Sequence, residues 1–185
     1  MTCDLLQLAT PGVATLQPYQ AGKPIEELER ELGLKNIIKL ASNENPLGPG
    51  PMAKAALKKP LEISRYPDGN GHELKSALAD YHGVNPGQIT LGNGSNDVLE
   101  LIARAVVTTA HEVIFSAHSF AVYPLVTRAI GAKAVVVPAR DYGHDLKAMQ
   151  NAITGRSRLM FVANPNNPTG TWSTRSELRL LLEQV

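Results

Sequence analysis

Residues 89–105, ITLGNGSNDVLELIARA, constrain what this chain can fold into more than any other stretch. Ile89, Thr90 and Leu91 have strand character, and Gly92 and Gly94 break it. Ser95, Asn96 and Asp97 then precede the apolar residues Val98, Leu99, Leu101, Ile102 and Ala105. That order reads as strand, tight glycine loop and helix. At such a junction the first backbone N–H groups of the helix lack intrahelical partners, the helix dipole is positive, and glycine lets a ligand approach the backbone. It can hold a phosphate. The same residues would equally serve a junction that does no more than turn and cap, so both readings stand on this stretch alone.

The chain alternates around this junction. Residues 112–115, 133–138 and 158–163 read as strands, and residues 120–129 and 145–153 as helices. Strands alternating with helices imply crossovers and a parallel sheet covered on both faces, which is an α/β fold. Upstream, residues 1–23 form an arm broken by Pro11, Gly12, Pro18 and Gly22. Pro24 suits the first position of the helix IEELEREL, which Gly33 closes. Residues 37–41 read as a short strand that runs into the polar, proline-interrupted loop 42–49. Pro51 opens the helix MAKAALKK, with Lys54 and Lys58 on a solvated face. After a loop over 64–71, a helix over 73–82 ends at Gly83, before the turn Asn85-Pro86-Gly87. Thr174 and Glu177 form a T-x-x-E capping box for a leucine-rich helix that reaches Val185 with no glycine stop. The expectation is a chain cut partway through a larger α/β domain.

Bulk properties narrow the partners. The 185 residues carry 18 Lys and Arg against 17 Asp and Glu, a net charge of +1. With no basic block, neither nucleic acid nor an anionic membrane is recommended as partner, and a small molecule is. The one cysteine, Cys3, cannot pair within the chain, which fits a reducing cytoplasm. The start has an acidic residue at position 4 and no basic region before an apolar stretch, unlike a signal peptide. No apolar run approaches the length of a membrane span.

A second candidate site follows the strand at 158–163. Asn164-Pro165-Asn166-Asn167-Pro168-Thr169-Gly170 lies at the carboxyl end of that strand, where open α/β sheets bind ligands. Two prolines and a glycine stiffen this loop, so that three asparagine amides could be aimed at one target; a stiff turn without a ligand is the alternative. Phe120 lies just past another strand end, placed to stack on a planar ring or to pack in the core. His72, His82, His111, His118 and His144 show neither H-x-H nor H-E-x-x-H spacing, so no metal site is expected. In a dinucleotide fingerprint Asp97 stands where the third glycine belongs, and no acidic residue ends the next strand. The G-x-S-x-G of serine hydrolases does not occur.

Four segments taken together carry a resemblance: LASNENPLGP at 40–49, RYPDGNGHELKSALADYHGV at 65–84, LGNGSND at 91–97 and NPNNPTG at 164–170. In order and spacing, from Tyr19 onward, the chain resembles the histidinol-phosphate aminotransferase family, within the aspartate-aminotransferase fold type of pyridoxal-phosphate enzymes. NPTG is common to many class I and II aminotransferases, and KLASNENPLGP with RYPDG is the more specific part. The resemblance implies a three-layer αβα fold with a mainly parallel central sheet. It divides the chain into an arm and first helix over 1–36, a small-domain or interface segment over 37–88, and the first part of the cofactor-binding domain over 89–185. It also implies strands interleaved with others from a missing half.

For the site, the resemblance implies a cup for the 5′-phosphate of pyridoxal 5′-phosphate at Gly94, Ser95 and Asn96. Phe120 would lie on the pyridine ring, and the amide of Asn167 would reach the ring's phenolic oxygen. Tyr66 would reach across a homodimer to the partner subunit's cofactor. Tyr19, Asn43 and Asn45 would lie near substrate. The implied reaction moves an amino group between L-histidinol phosphate with 2-oxoglutarate and imidazole-acetol phosphate with L-glutamate, in histidine biosynthesis in the cytoplasm. The family's Schiff-base lysine falls beyond Val185, so residues 1–185 contain no catalytic residue of that kind and are expected to be inactive alone. Rival readings are a sibling enzyme on the same fold, such as an aromatic aminotransferase or a threonine-phosphate decarboxylase, and a non-catalytic phosphate-binding module.

Overall fold

The computed structural model describes residues 9–17, 22–60 and 63–185. Helices along the chain are α1 (Pro11–Ala14), α2 (Ile25–Leu32), α3 (Pro51–Leu57), α4 (His72–His82), α5 (Ser95–Val106), α6 (Val122–Ile130), α7 (Leu146–Asn151) and α8 (Arg175–Leu182). The strands are β1 (Glu112–Ser116), β2 (Lys133–Val137) and β3 (Ser157–Met160). The chain forms two compact units, one of Val84–Val185 with the described residues 9–17, the other within Pro18–Gly83.

In the first unit the three strands form one parallel sheet in the order β2-β1-β3. α6 crosses from β1 to β2 and α7 from β2 to β3, as parallel pairing requires. β1 is central and buried at all five positions, and its side chains divide between two layers. Val113 and Phe115 meet Ala103 of α5, Tyr123 and Val126 of α6, and Phe161. Ile114 points the other way, onto Val137 and Met149 of α7. Helices therefore cover both faces, and the α/β expectation holds.

Glu112 at the start of β1 is a buried carboxylate with three partners. Its Oε2 accepts from Thr154 Oγ1 at 2.7 Å, and its Oε1 from Lys133 Nζ at 3.0 Å and Arg156 Nη2 at 2.6 Å. Led by the Thr154 hydroxyl, these donors outweigh the cost of burial and pull the Glu112 pKa down from 4.5 to about 2. The cluster clips all three strands at their amino ends, since Lys133 begins β2 and Arg156 precedes β3.

Several sequence expectations change. Of the strands present, β2, β1 and β3 pair directly with one another. Residues 37–41 are not a strand, with Ile38 83% and Leu40 94% exposed. Residues 89–91 are extended at Ile89 but pair with no strand among those described. In both places a strand-favouring sequence lacks a neighbour, and without a ladder β-propensity makes no strand. The arm contains α1, and a Cβ on Gly12 would stand 2.1 Å from the Arg128 carbonyl oxygen, so glycine permits the close approach to α6. Pro24 is the N-cap of α2 rather than its first residue, and α6 begins at Val122 rather than at Phe120.

Within Pro18–Gly83 the helices bury little. Gly33 and Gly83, with φ of 64° and 66°, close α2 and α4. Asp68 accepts from the backbone N–H of His72 at 2.8 Å and of Asn70 at 2.9 Å, and these bonds hold its carboxyl below the usual carboxylate range. Lys23 pairs with Glu31 and with Glu27. Among the described apolar residues here, Ala79 is buried, while Leu47, Met52, Ile63 and Tyr66 are exposed.

Candidate functional site

The parallel sheet brings the loops after β1, β2 and β3 to one edge, and hydrogen bonds tie them together there. Asn166 is the knot. Its side chain is 3% exposed, and its Nδ2 donates to the His118 carbonyl after β1 at 2.7 Å and to Thr169 Oγ1 at 2.8 Å. Its backbone N–H donates to the Thr171 carbonyl at 2.7 Å, and its carbonyl accepts from Gly170 at 2.8 Å. Asn164 closes the loop further out, with Oδ1 accepting from the Ser173 N–H at 2.7 Å and Nδ2 donating to the Ser173 carbonyl at 3.1 Å. Three asparagines aimed at one target is therefore corrected: Asn164 and Asn166 are spent on the loop itself. Asn167 is left. It is half-buried and makes no side-chain hydrogen bond among the described residues.

Phe120 is held by aromatic packing rather than by a helix. Its ring meets Tyr123 edge-on at 6.0 Å and 89°, and Tyr123 in turn stacks on Phe161 at 4.3 Å and 3°. Burial pushes the Tyr123 hydroxyl pKa up. Phe120 itself stays half-buried, so part of its surface is left uncovered. Leu99 of α5 packs against the same cluster, which fixes α5 beside these rings.

The start of α5 has the properties of an anion cradle. Its N-cap is Gly94, at φ 85° and ψ 173°, and no side chain caps the helix. That backbone conformation belongs essentially to glycine. The N–H groups of Ser95 and Asn96 thus have no side-chain cap, and both residues are exposed. Gly92 is required by space: a Cβ there would come within 2.7 Å of Val98 Cγ2. The nearby Asp97 carboxylate is turned back on the loop, accepting from the Asn93 N–H at 3.0 Å. Two buried polar atoms, Ser116 Oγ at the end of β1 and Asn166 Oδ1 in the loop after β3, have no partner among the described residues. Residues of this type suit a phosphorylated, planar ligand, with backbone N–H groups for the phosphate, a ring face at Phe120 and a free amide at Asn167.

Residues 35–185 match the family described as aminotransferase class I and II. The chain belongs to that family. Among its relatives is histidinol-phosphate aminotransferase 1 of Idiomarina loihiensis, 59% identical over 98% of this chain and 50% of that protein. Histidinol-phosphate aminotransferase 2 of Pseudomonas fluorescens Pf-5 is 57% identical over 100% of this chain and 51% of that protein. The structure resembles crystalline histidinol-phosphate aminotransferase of Sinorhizobium meliloti in complex with pyridoxal-5′-phosphate. There the TM-score is 0.83 and the identity 29%, over 95% of this chain and 47% of that one. The chain thus spans about half the length of the relatives it matches.

Tyr19 falls outside the described residues. Asn43, Asn45 and Tyr66 belong to the unit within Pro18–Gly83. Asn43 has a φ of 51°, and Asn45 Oδ1 accepts from the Leu47 N–H at 3.0 Å, so this asparagine shapes its own loop. Tyr66 is 100% exposed. Among the described residues no group of three or more His, Cys, Asp or Glu could hold a metal ion, and no helix is long and apolar enough to cross a membrane. In the sequence His118 and His144 stand out only as histidines without metal-ligand spacing, and Tyr142 belongs to no motif.

Proposed function

We propose that the whole protein carrying this chain is a pyridoxal-phosphate-dependent histidinol-phosphate aminotransferase. It would transfer the amino group of L-histidinol phosphate to 2-oxoglutarate, giving imidazole-acetol phosphate and L-glutamate, within histidine biosynthesis. The observation that carries this reading is the uncapped start of α5 behind Gly94, on the same aromatic cluster as the part-exposed Phe120. The relatives' names, at 57–59% identity along nearly all of this chain, point the same way.

In this reading the N–H groups at Ser95 and Asn96 and the Gly94 backbone bind the cofactor phosphate. Phe120 covers one face of the ring and excludes water from it, and Asn167 donates its amide N–H to the ring oxygen. When bound, the cofactor supplies the electron sink that lets a bond at the substrate's α-carbon break. Asn43, Asn45 and Tyr19 are assigned to substrate. Tyr66 is assigned to the partner subunit's cofactor in a homodimer, and its full exposure, with that of Met52 and Ile63, supports a surface that something else covers. The division at residues 36 and 88 and a cytoplasmic location belong to the same proposal.

The test is an amino-transfer assay on the full-length protein with its cofactor. Turnover of L-histidinol phosphate well above that of phenylalanine or tyrosine supports the assignment. Preference for the aromatic amino acids, or carbon dioxide release from O-phospho-L-threonine, would replace it by a sibling activity. Residues 1–185 alone are expected to give no turnover, because the lysine that the resemblance requires matches none of their residues.

A further inference from the structure

The loop after β2 folds into a tight turn with two left-handed residues. Residues 140–143 form a two-residue hairpin in which Arg140 and Gly143 exchange hydrogen bonds of 3.2 and 2.8 Å. Its central residues, Asp141 and Tyr142, have φ of 49° and 61°. Turns with two positive φ values strongly prefer Asn-Gly or Asp-Gly, and a tyrosine in the second place is strained. Such strain persists where surrounding contacts impose it, and here those contacts run to the asparagine loop.

There are three of them. His144 Nε2 lies 3.0 Å from the carbonyl oxygen of Ala163, the residue immediately before the loop. The carbonyl of Tyr142 accepts from Thr171 Oγ1, immediately after the loop, at 3.4 Å. The Tyr142 ring packs against that of His118 at 5.3 Å, and the His118 carbonyl is what Asn166 Nδ2 grips. A carbonyl can only accept, so the His144 proton resides on Nε2. Nδ1 is buried and meets no partner among the described residues. A buried orphan polar atom is a cost tolerated for the bond on the other side of the ring.

We propose that residues 140–144 act as a brace across both ends of the asparagine loop, and that His144 is a positioning residue that sets the direction of the Asn167 amide. This rests on the reading that Asn167 contacts the cofactor. His144 acts through the backbone at Ala163, from which the loop departs. Asn167 has no hydrogen bond of its own to hold it, so its aim depends on that backbone.

The test uses the full-length protein and pyridoxal 5′-phosphate. His144→Leu is expected to weaken cofactor binding about tenfold, the size typical of partners that orient a ligand from behind. It is also expected to shift the pH midpoint of the bound cofactor's visible absorbance, which a purely structural role would leave in place. His144→Gln, which keeps an N–H donor at similar reach, is expected to restore both. Wild-type binding and titration in a folded His144→Leu protein would overturn the brace, as would failure of His144→Gln to restore them. Should His144→Leu not fold, ¹⁵N NMR of the wild-type imidazole decides: protonation at Nε2 supports the brace, and protonation at Nδ1 overturns it. Asn167→Ala separates the two claims. If it leaves cofactor binding and titration unchanged, the assignment of Asn167 fails; if it alters them and His144→Leu does not, the brace fails.

Discussion

In Val84–Val185 the central strand is buried at all five positions, whereas within Pro18–Gly83 three helices leave Ala79 as the buried apolar residue among those described. Local start and stop signals occur in both. Gly33 and Gly83 stop helices in one region, and Thr174 and Asp145 start them in the other. The difference is what the elements pack on. β1 draws α5 and α6 onto one face of the sheet and α7 onto the other, while α2 and α3 have no buried residue. Caps and propensity specify where a helix is, and burial of an apolar face supplies most of its stability.

Hydrogen exchange on residues 1–185 would break or confirm this contrast most directly. Amides of β1 are expected to be protected by on the order of a thousandfold or more, because they open with the whole core. Amides of α2 and α3 are expected to exchange at nearly the rate of an unfolded peptide. Comparable protection in the two regions would mean that the exposed surface of the second one is covered in solution.

Substitution of two methionines sharpens the same contrast. Met149 is fully buried between α7 and the sheet, and Met149→Ala should cost about 2–5 kcal/mol in a denaturant titration, from lost transfer energy and the cavity left behind. Met52 is 88% exposed, and Met52→Ala should stay within about 0.5 kcal/mol. A large effect at Met52 would place it in an interface.

What the sequence revealed follows the same division between local and non-local. Helices α2, α4 and α8 were legible because Pro, Gly and the T-x-x-E box act within a few residues. The three paired strands were legible because each lies between helices that force parallel crossovers. Residues 37–41 and 89–91 misled because a strand is a property of two segments, and the second segment is written nowhere in the first. At the site, the glycine loop and the Asn-Pro motif were visible as types. That Asn166 faces inward while Asn167 is left open depends on His118, 48 residues away, and could not be read. The hairpin at 140–143 was hidden because Asp-Tyr lacks the glycine that usually marks such a turn.

Acid should separate the core from the helices by way of Glu112. Its folded pKa, about 2, lies below the ordinary 4.5, so the folded state binds its proton less readily than the unfolded one. The stability it contributes is complete above about 4.5 and is lost as pH falls toward 2. Urea midpoints of the core are expected to fall through that window, and Glu112→Gln should flatten the fall while lowering stability at neutral pH. An unchanged acid limb in the variant would assign it to other carboxylates, Glu177 first, since the backbone N–H of Thr174 holds its pKa down as well.

The smallest effect compares like with like. Thr174 Oγ1 accepts from the Glu177 N–H at 3.2 Å at the start of α8, and Asp68 accepts from the His72 N–H at 2.8 Å at the start of α4. Each satisfies a helix N–H that would otherwise lack a partner, and loss of such a cap costs about 1 kcal/mol. α8 belongs to the first unit, where it buries Leu181 and packs on α7, so Thr174→Ala should lower the cooperative melting transition of the core. Asp68→Ala removes bonds of the same kind from a helix whose buried residue is Ala79. It should reduce helical signal at low temperature and leave that transition where it was. If both substitutions lowered the transition equally, residues within Pro18–Gly83 would share the cooperative unit of the sheet, and their exposed apolar side chains would have to be explained by a partner that is already bound.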